Sequence, residues 1–319
     1  ENGSRNGKRT DRTEEAGGIT VRKRAYIWLA ILGTFLLLFL SIKSVVGQGI
    51  TYKQAPLILT TLSLILLFGL YLITSRYDIW ILGPQKVLYM GLGAGLYLLI
   101  RYLFTAVLNI SFGKITLHPA VCIPVLFGFS FGPGVGFFTG AVGGLLADFA
   151  IGWDVFPIWS IASGITGMIP GFMSLFKEEK IPERYLSTLV VLMIISSAGM
   201  VFLHPQVPEP WTGQMKDFTF WAYSLLVGGA IMMANSYLME QRDLNFVSIN
   251  LWGALGIMVS TLLASLGDIW LNNFSVETAL IGEYAPYTAI DLLNLVLFAP
   301  MIMAAYHAAR NRLELNVQS

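Results

Sequence analysis

The chain has 319 residues, of which 55% are hydrophobic and 12% charged, with a mean hydropathy of +0.67. Those proportions exclude a soluble globular protein and describe a chain that lives mostly in lipid. The net charge of +1 hides an asymmetry, because seven of the 20 Lys and Arg residues fall in the first 24 positions. With Glu14 and Glu15 among them, that stretch reads as a disordered cytoplasmic leader rather than a nucleic-acid arm, and no nucleic-acid partner is expected.

Taken in chain order, apolar stretches near 25–46, 56–75, 86–109, 119–131, 133–151, 158–176, 185–204, 219–239, 246–267 and 289–309 predict an all-α, polytopic integral membrane helical bundle of about ten spans. The first span follows Arg22-Lys23-Arg24 in the manner of a signal peptide and is read as a retained anchor. The fourth is short, and Gly132-Pro133-Gly134 turns it into the fifth, so these two form either a sharply bent hairpin or two full crossings. If all ten cross and the N-terminus is cytoplasmic, 15 of the 20 basic residues lie inside. Lys43, Lys53, Lys114 and Lys216 lie outside, and Arg101 falls within a span. The expectation is a multi-pass protein of the cell membrane, in contact with membrane lipid, with both termini cytoplasmic.

Inside loops are short and charged, as in Lys177-Glu178-Glu179-Lys180, whereas the outside loops at 110–119, 152–157, 204–218 and 268–287 carry aromatics, proline and amides. Single aromatics at a membrane surface serve as belt anchors, but several converging from different loops form a lid over an outward pocket. Ionisable and amide groups at membrane depth are costly unless paired or functional. Asp148 lies near the outer end of the fifth span, Asp268, Asn272 and Asn273 at the outer end of the ninth, and Asp291 and Asn294 one turn apart on the tenth. Arg101 either pairs with an acid such as Asp148, snorkels to the surface or meets substrate. Asp291 and Asn294 either line a pocket or hydrogen-bond between helices.

The chemistry of catalysis is not visible. His118, His204 and His307 are far apart and form no zinc or dyad spacing, and Cys122 is alone, so neither a metal site, a disulfide nor a catalytic set is expected. There is no GxxxxGK[ST] loop, no Gly-x-Ser-x-Gly elbow and no His-Glu-x-x-His, so the chain is read as neither an enzyme nor an ATPase, without cofactor.

The densest signal runs from Phe127 to Phe172, where Gly128, Gly132, Gly134, Gly136, Gly140, Gly143 and Gly144 would each weaken a soluble helix by about 1 kcal/mol relative to alanine. In a bilayer such glycines let helices pack backbone to backbone. The run Gly132-Pro133-Gly134, Gly140, Gly143, Gly144, Asp148, Phe156-Pro157, Gly164, Gly167 and Ile169-Pro170-Gly171 resembles the substrate-binding S component of energy-coupling factor (ECF) vitamin transporters. The resemblance implies a small-molecule substrate, and a scaffold transmembrane subunit with two ATPase subunits as partners. It implies an outward pocket at Thr116 and His118, at Trp153, Asp154, Phe156 and Trp159, and at Asp268, Asn272, Tyr287, Asp291 and Asn294, with Asp148 beside it. Gly91-x-x-x-Gly95 serves internal packing or, by the resemblance, docks the scaffold. S components usually have six helices; here eight are counted from Lys86 onward after a preceding pair, and one further hairpin, near 185–239, reads as an insertion. The domain expectation is therefore a leader at 1–24, a two-helix membrane hairpin at 25–80 and an S-component-like membrane domain at 81–319.

Two function classes follow. In the first, the chain captures a vitamin-like or precursor molecule outside for uptake driven by a separate ATPase module. In the second, it is a noncatalytic structural subunit of a larger membrane complex. A self-sufficient secondary transporter would need an inverted repeat, and none is clear.

Overall fold

The structure, a computed structural model, describes residues 26, 28–29, 32–33, 54–112, 115–116, 119–153, 156–176, 183–239 and 244–318. It is an all-α polytopic membrane bundle with two short β-hairpins, and it divides into two compact units, 1–82 and 83–319. Of the first predicted span, 25–46, only five positions belong to the described residues.

In the first unit, helix α1 (Gln54–Thr74) carries Leu62, Ile65, Leu66 and Ile73 outward, as a lipid-facing helix does. An aromatic clasp closes its end. Trp28 and Tyr71 each meet Trp80 edge-on, at 5.1 and 5.5 Å between ring centres, and Trp80 Nε1 donates to Thr74 Oγ1 at 2.9 Å. All three rings are buried, so a helical segment around Trp28 is pinned against α1 without any charge.

The second unit begins with α2 (Pro84–Tyr102), whose proline takes the first helical turn, where no amide hydrogen is needed. Its last turn widens into a π-helix over Leu103–Val107. A short hairpin follows, pairing β1 (Ser111–Phe112) with β2 (Ile115–Thr116). Then come a 3-10 turn at Pro119–Val121 and α3 (Cys122–Phe131). This apolar stretch, Pro119–Phe131, has a length of about 20 Å against a hydrocarbon core of about 30 Å. It is the short arm of the bent hairpin rather than a full crossing, and Gly132, at φ 106°, makes the bend that an L side chain resists.

Helices α4 (Pro133–Ile151) and α5 (Pro157–Gly171) complete a glycine-packed trio with α3. A β-carbon on Gly136 would overlap the Gly167 carbonyl oxygen and stand 2.6 Å from Gly128 Cα. One on Gly167 would stand 2.7 Å from Pro124 Cβ. The glycine density is thus spent on backbone contact, the bilayer solution to helix packing when lipid is as apolar as leucine.

The remaining helices are α6 (Glu183–Leu203), α7 (Thr219–Met239), α8 (Leu244–Leu271) and α9 (Ala285–Gln318), the last entered through a π-helix over Thr278–Tyr284. Between α6 and α7, β3 (Gln206–Pro208) pairs with β4 (Met215–Asp217). The core of this half joins Val190 and Ile194 of α6, Leu225 and Met232 of α7, Ile257 and Met258 of α8, and Leu292 and Leu295 of α9. Among the described residues, six helices are long and apolar enough to cross a bilayer: 57–74, 84–107, 133–151, 157–176, 184–203 and 246–271. Helix α7, with 21 residues, and α9, with 34, are also of crossing length.

Candidate functional site

At one end of the second unit, a cavity of about 280 Å³ opens between α2, α4, α5, α8 and α9. Two helical faces contribute seven of its lining residues. On α2 and its π extension, Tyr97, Arg101 and Thr105 recur every fourth residue; on α5, Trp159, Ala162, Ser163 and Thr166 recur at i, i+3, i+4 and i+7. Val121 comes from the 3-10 turn before α3, Pro124 from the start of α3, Asp148 from the end of α4, and Trp153 and Phe156 from the loop after it. Ser260 and Thr261 come from α8, Tyr287 and Asp291 from α9, and Trp211 from the β3–β4 hairpin.

The wall is aromatic. Trp159 leans on Tyr287 with ring centres 4.7 Å apart, and Trp211 touches Phe156 at 6.4 Å and Phe274 at 5.7 Å, both nearly edge-on. The hairpin holding Trp211 is braced by a Lys216–Glu209 ion pair at 2.7 Å and by a hydrogen bond between Thr212 and Glu209. The floor is made of hydroxyls. Thr166 Oγ1 lies 2.6 Å from Ser260 Oγ, and Thr261 Oγ1 lies 2.8 Å from Thr288 Oγ1. Tyr97 donates its hydroxyl to Ser163 Oγ, which in turn donates to the Trp159 carbonyl.

Arg101 and Asp148 form a direct ion pair, Nη2 to Oδ1 at 2.6 Å, with side chains 14% and 3% exposed. Asp148 can reach α2 because Gly143 and Gly144 bring α4 close to it; a β-carbon on Gly143 would stand 3.0 Å from Tyr97 Cβ, and one on Gly144 3.7 Å from Arg101 Nη1. The guanidinium also lies 5.8 Å from the Trp153 ring and 6.0 Å from the Tyr97 ring, within cation–π range. Gly152, in left-handed conformation at φ 80°, ends α4 and turns the chain so that Trp153 folds back with its amide on the Asp148 carbonyl.

The cavity brings together Asp148, Trp153, Phe156, Trp159, Tyr287 and Asp291 from the residues singled out in the sequence. Asp268 and Asn272 stand behind the wall. Asp268 is fully buried, accepting a hydrogen bond from Trp159 Nε1 at 2.9 Å and another from Asn272 Nδ2 at 2.9 Å, so it touches the cavity only through the indole. Asn294 is also fully buried and is not among the residues lining the cavity; its backbone carbonyl oxygen accepts a contact from Cys122 Sγ at 3.4 Å. His118 and Asp154 lie outside the described residues, as does the side chain of Thr116, whose backbone forms β2. Among the described residues, no group of three His, Cys, Asp or Glu side chains is placed to hold a metal ion.

Sequence reasoning passed over Thr105, Ser163, Thr166, Trp211, Ser260 and Thr261. The helical spacing from Trp159 and from Arg101 could have pointed to the first three. Ser260 and Thr261 carry no such signal, since they become visible only when α8 is laid against α5. Glu283 was also missed: it is buried at 1% exposure in the π-helix, beside Asp268.

Residues 82–207 match the family model of the ECF-type riboflavin transporter, S component. This stretch of the chain is S-component-like. It contains both helical faces of the cavity and the Arg101–Asp148 pair, whereas Trp211, Ser260, Thr261, Tyr287 and Asp291 lie beyond it. Relatives include a UPF0397 protein of Vibrio atlanticus, 33% identical over 92 residues, which are 28% of this chain and 50% of that protein. A UPF0397 protein of Streptococcus agalactiae is 37% identical over 90 residues, 28% of this chain and 48% of that protein. One of Aliivibrio salmonicida is 39% identical over 70 residues, 22% of this chain and 38% of that protein. The chain thus spans about half the length, or less, of the curated relatives it matches. No solved structure matches it.

Proposed function

We propose that this chain is the substrate-capture subunit of an ECF-type uptake system of the cell membrane, binding a small, flat, vitamin-like or precursor molecule in the aromatic cavity and handing it inward under the power of separate ATPase subunits. The observation that carries the reading is the cavity itself, walled largely by the S-component-like stretch and bordered by aromatic residues from two connecting segments. The distribution of basic residues supports an outward-facing cavity with both termini cytoplasmic. Cysteine-accessibility labelling decides that orientation: a cysteine placed near Lys216 is expected to react from outside and one near Lys180 from inside, and the reverse pattern sinks it.

A burden falls on Trp159, because its ring lines the cavity while its nitrogen is held by Asp268. Stacking in a dry pocket is worth on the order of 1 to 3 kcal/mol, so Trp159→Ala is expected to lower occupancy by the native small molecule about tenfold or more. Mass spectrometry of molecules released from equal amounts of folded wild-type and variant protein measures it. Equal occupancy, or no molecule in either, removes the capture reading.

Gly91 and Gly95 present an open face: a β-carbon at either would meet nothing within 4 Å, and exposed Leu88, Leu92 and Leu99 surround them. Internal packing therefore does not explain them among the described residues. We assign this face to scaffold docking, where close backbone approach needs small residues. Gly91→Leu is expected to abolish co-purification of scaffold and ATPase subunits while ligand occupancy survives. Recovery of a different membrane assembly, with no ATPase and no ligand, would favour the structural-subunit reading instead.

A further inference from the structure

We infer that the cavity takes a flat aromatic ligand bearing one positive charge, seated with its cationic end toward Asp291; the inference rests on the capture reading above. It starts from charge accounting. Among the described residues, the acids and bases lining the cavity are Arg101, Asp148 and Asp291. Arg101 and Asp148 cancel each other at 2.6 Å. Asp291 has no ion pair of its own among the described residues, and its polar neighbours are Asn294 and Tyr287 on the same helix, the Cys122 thiol and the already engaged Arg101. Behind the aromatic wall, Asp268 and Glu283 are two buried carboxyl groups beside each other and do not line the cavity. On the nearby hairpin, Lys216 is bound to Glu209. Among the described residues Asp291 is therefore the lining carboxyl without an ion partner, and a half-buried carboxylate without a counter-charge is costly beside an apolar wall. A cationic ligand supplies the missing charge.

The wall suits the same ligand for a second, independent reason. Tyr97, Trp153, Phe156, Trp159, Trp211 and Tyr287 line the cavity, and a guanidinium already rests within 6.0 Å of two of these rings, the contact a ligand cation would repeat. Two buried polar atoms without hydrogen-bond partners, Arg101 Nε and Thr105 Oγ1, belong to lining residues of α2 and its π extension. They provide donors for an acceptor group elsewhere on the ligand. A volume of about 280 Å³ lies at the lower edge of ligand pockets, roughly 300 to 1,000 Å³, and restricts the ligand to a small ring system.

The test uses two probes of the same shape and different charge, N-methylquinolinium and the neutral N-methyl-2-quinolone, titrated into the purified full chain by calorimetry. The cation is expected to bind at least about tenfold more tightly than the neutral probe, and D291N to erase that preference while changing the neutral probe's affinity by less than about threefold. The wild-type preference is read without any variant, so a D291N protein that failed to fold would still leave the comparison of probes to decide. Equal or stronger binding of the neutral probe, or a preference that survives D291N, overturns the charge inference and leaves the capture reading standing. If neither probe binds although a native small molecule is recovered with the protein, the charge inference falls alone. If neither binds and no molecule is recovered, both fall.

Discussion

Gly136→Leu is expected to prevent the second unit from folding. Even a β-carbon at Gly136 overlaps the Gly167 carbonyl and approaches Gly128 Cα to 2.6 Å, and the atoms in the way are backbone. A side chain can change rotamer to relieve an overlap, whereas here α3, α4 and α5 must move apart, at a cost of about 3 kcal/mol or more for alanine alone and beyond the protein's whole margin for leucine. Detergent-solubilised Gly136→Leu should therefore give no monodisperse peak on size-exclusion chromatography. Gly91→Leu, at a position where nothing lies within 4 Å, should elute as the wild type does. A normal peak from Gly136→Leu would mean that the glycine contacts do not hold this trio together.

The second large effect belongs to the buried ion pair. Arg101→Met leaves Asp148, 2% exposed, without its counter-charge, and breaking a buried pair from one side costs about 3 to 5 kcal/mol. For a membrane domain of this size that corresponds to a fall in Tm of roughly 10 °C. Cys122, buried at 1% and the sole cysteine, makes a thiol-reactive dye a direct reporter of unfolding. Replacing both partners, Arg101→Met with Asp148→Leu, should recover most of the loss, because the desolvation cost of two charges disappears with them. A single variant that melts within about 2 °C of wild type would show that the pair does not contribute to holding α2 against α4.

The different fates of residues read from the sequence have a common physical cause. Hydropathy reports how a segment partitions between water and lipid, a property summed along the chain. That is why the spans at 56–75, 133–151 and 246–267 match helices closely, and why the bend at Gly132-Pro133-Gly134 was legible. The aromatic loop residues Trp153 and Phe156 were legible for the same reason, as amphipathic side chains at a span end. Asp268 and Asn294 are polar residues that call for an explanation, and neither lines the cavity: Asp268 holds the Trp159 indole from behind the wall, and Asn294 is fully buried in the bundle. The direction in which a polar side chain turns depends on the helix facing it, which no window along one segment contains.

Read residue by residue, the chain already marks a helical membrane protein, the bounds of several of its helices to within a few residues, the glycine packing of the 127–172 region, and a core that resembles an S component, matched over 82–207. Each of those follows from local composition, because solvent preference, turn geometry and the absence of a β-carbon belong to individual residues. Only the tertiary structure decided that Arg101 pairs with Asp148, that Thr166 meets Ser260 across 94 residues of chain, and that Gly91 and Gly95 face outward while Gly136 and Gly167 face each other. Those outcomes depend on which helix faces which, and in a bilayer that choice rests on short-range fit between backbones and a few polar pairs, not on the hydrophobicity that the helices share.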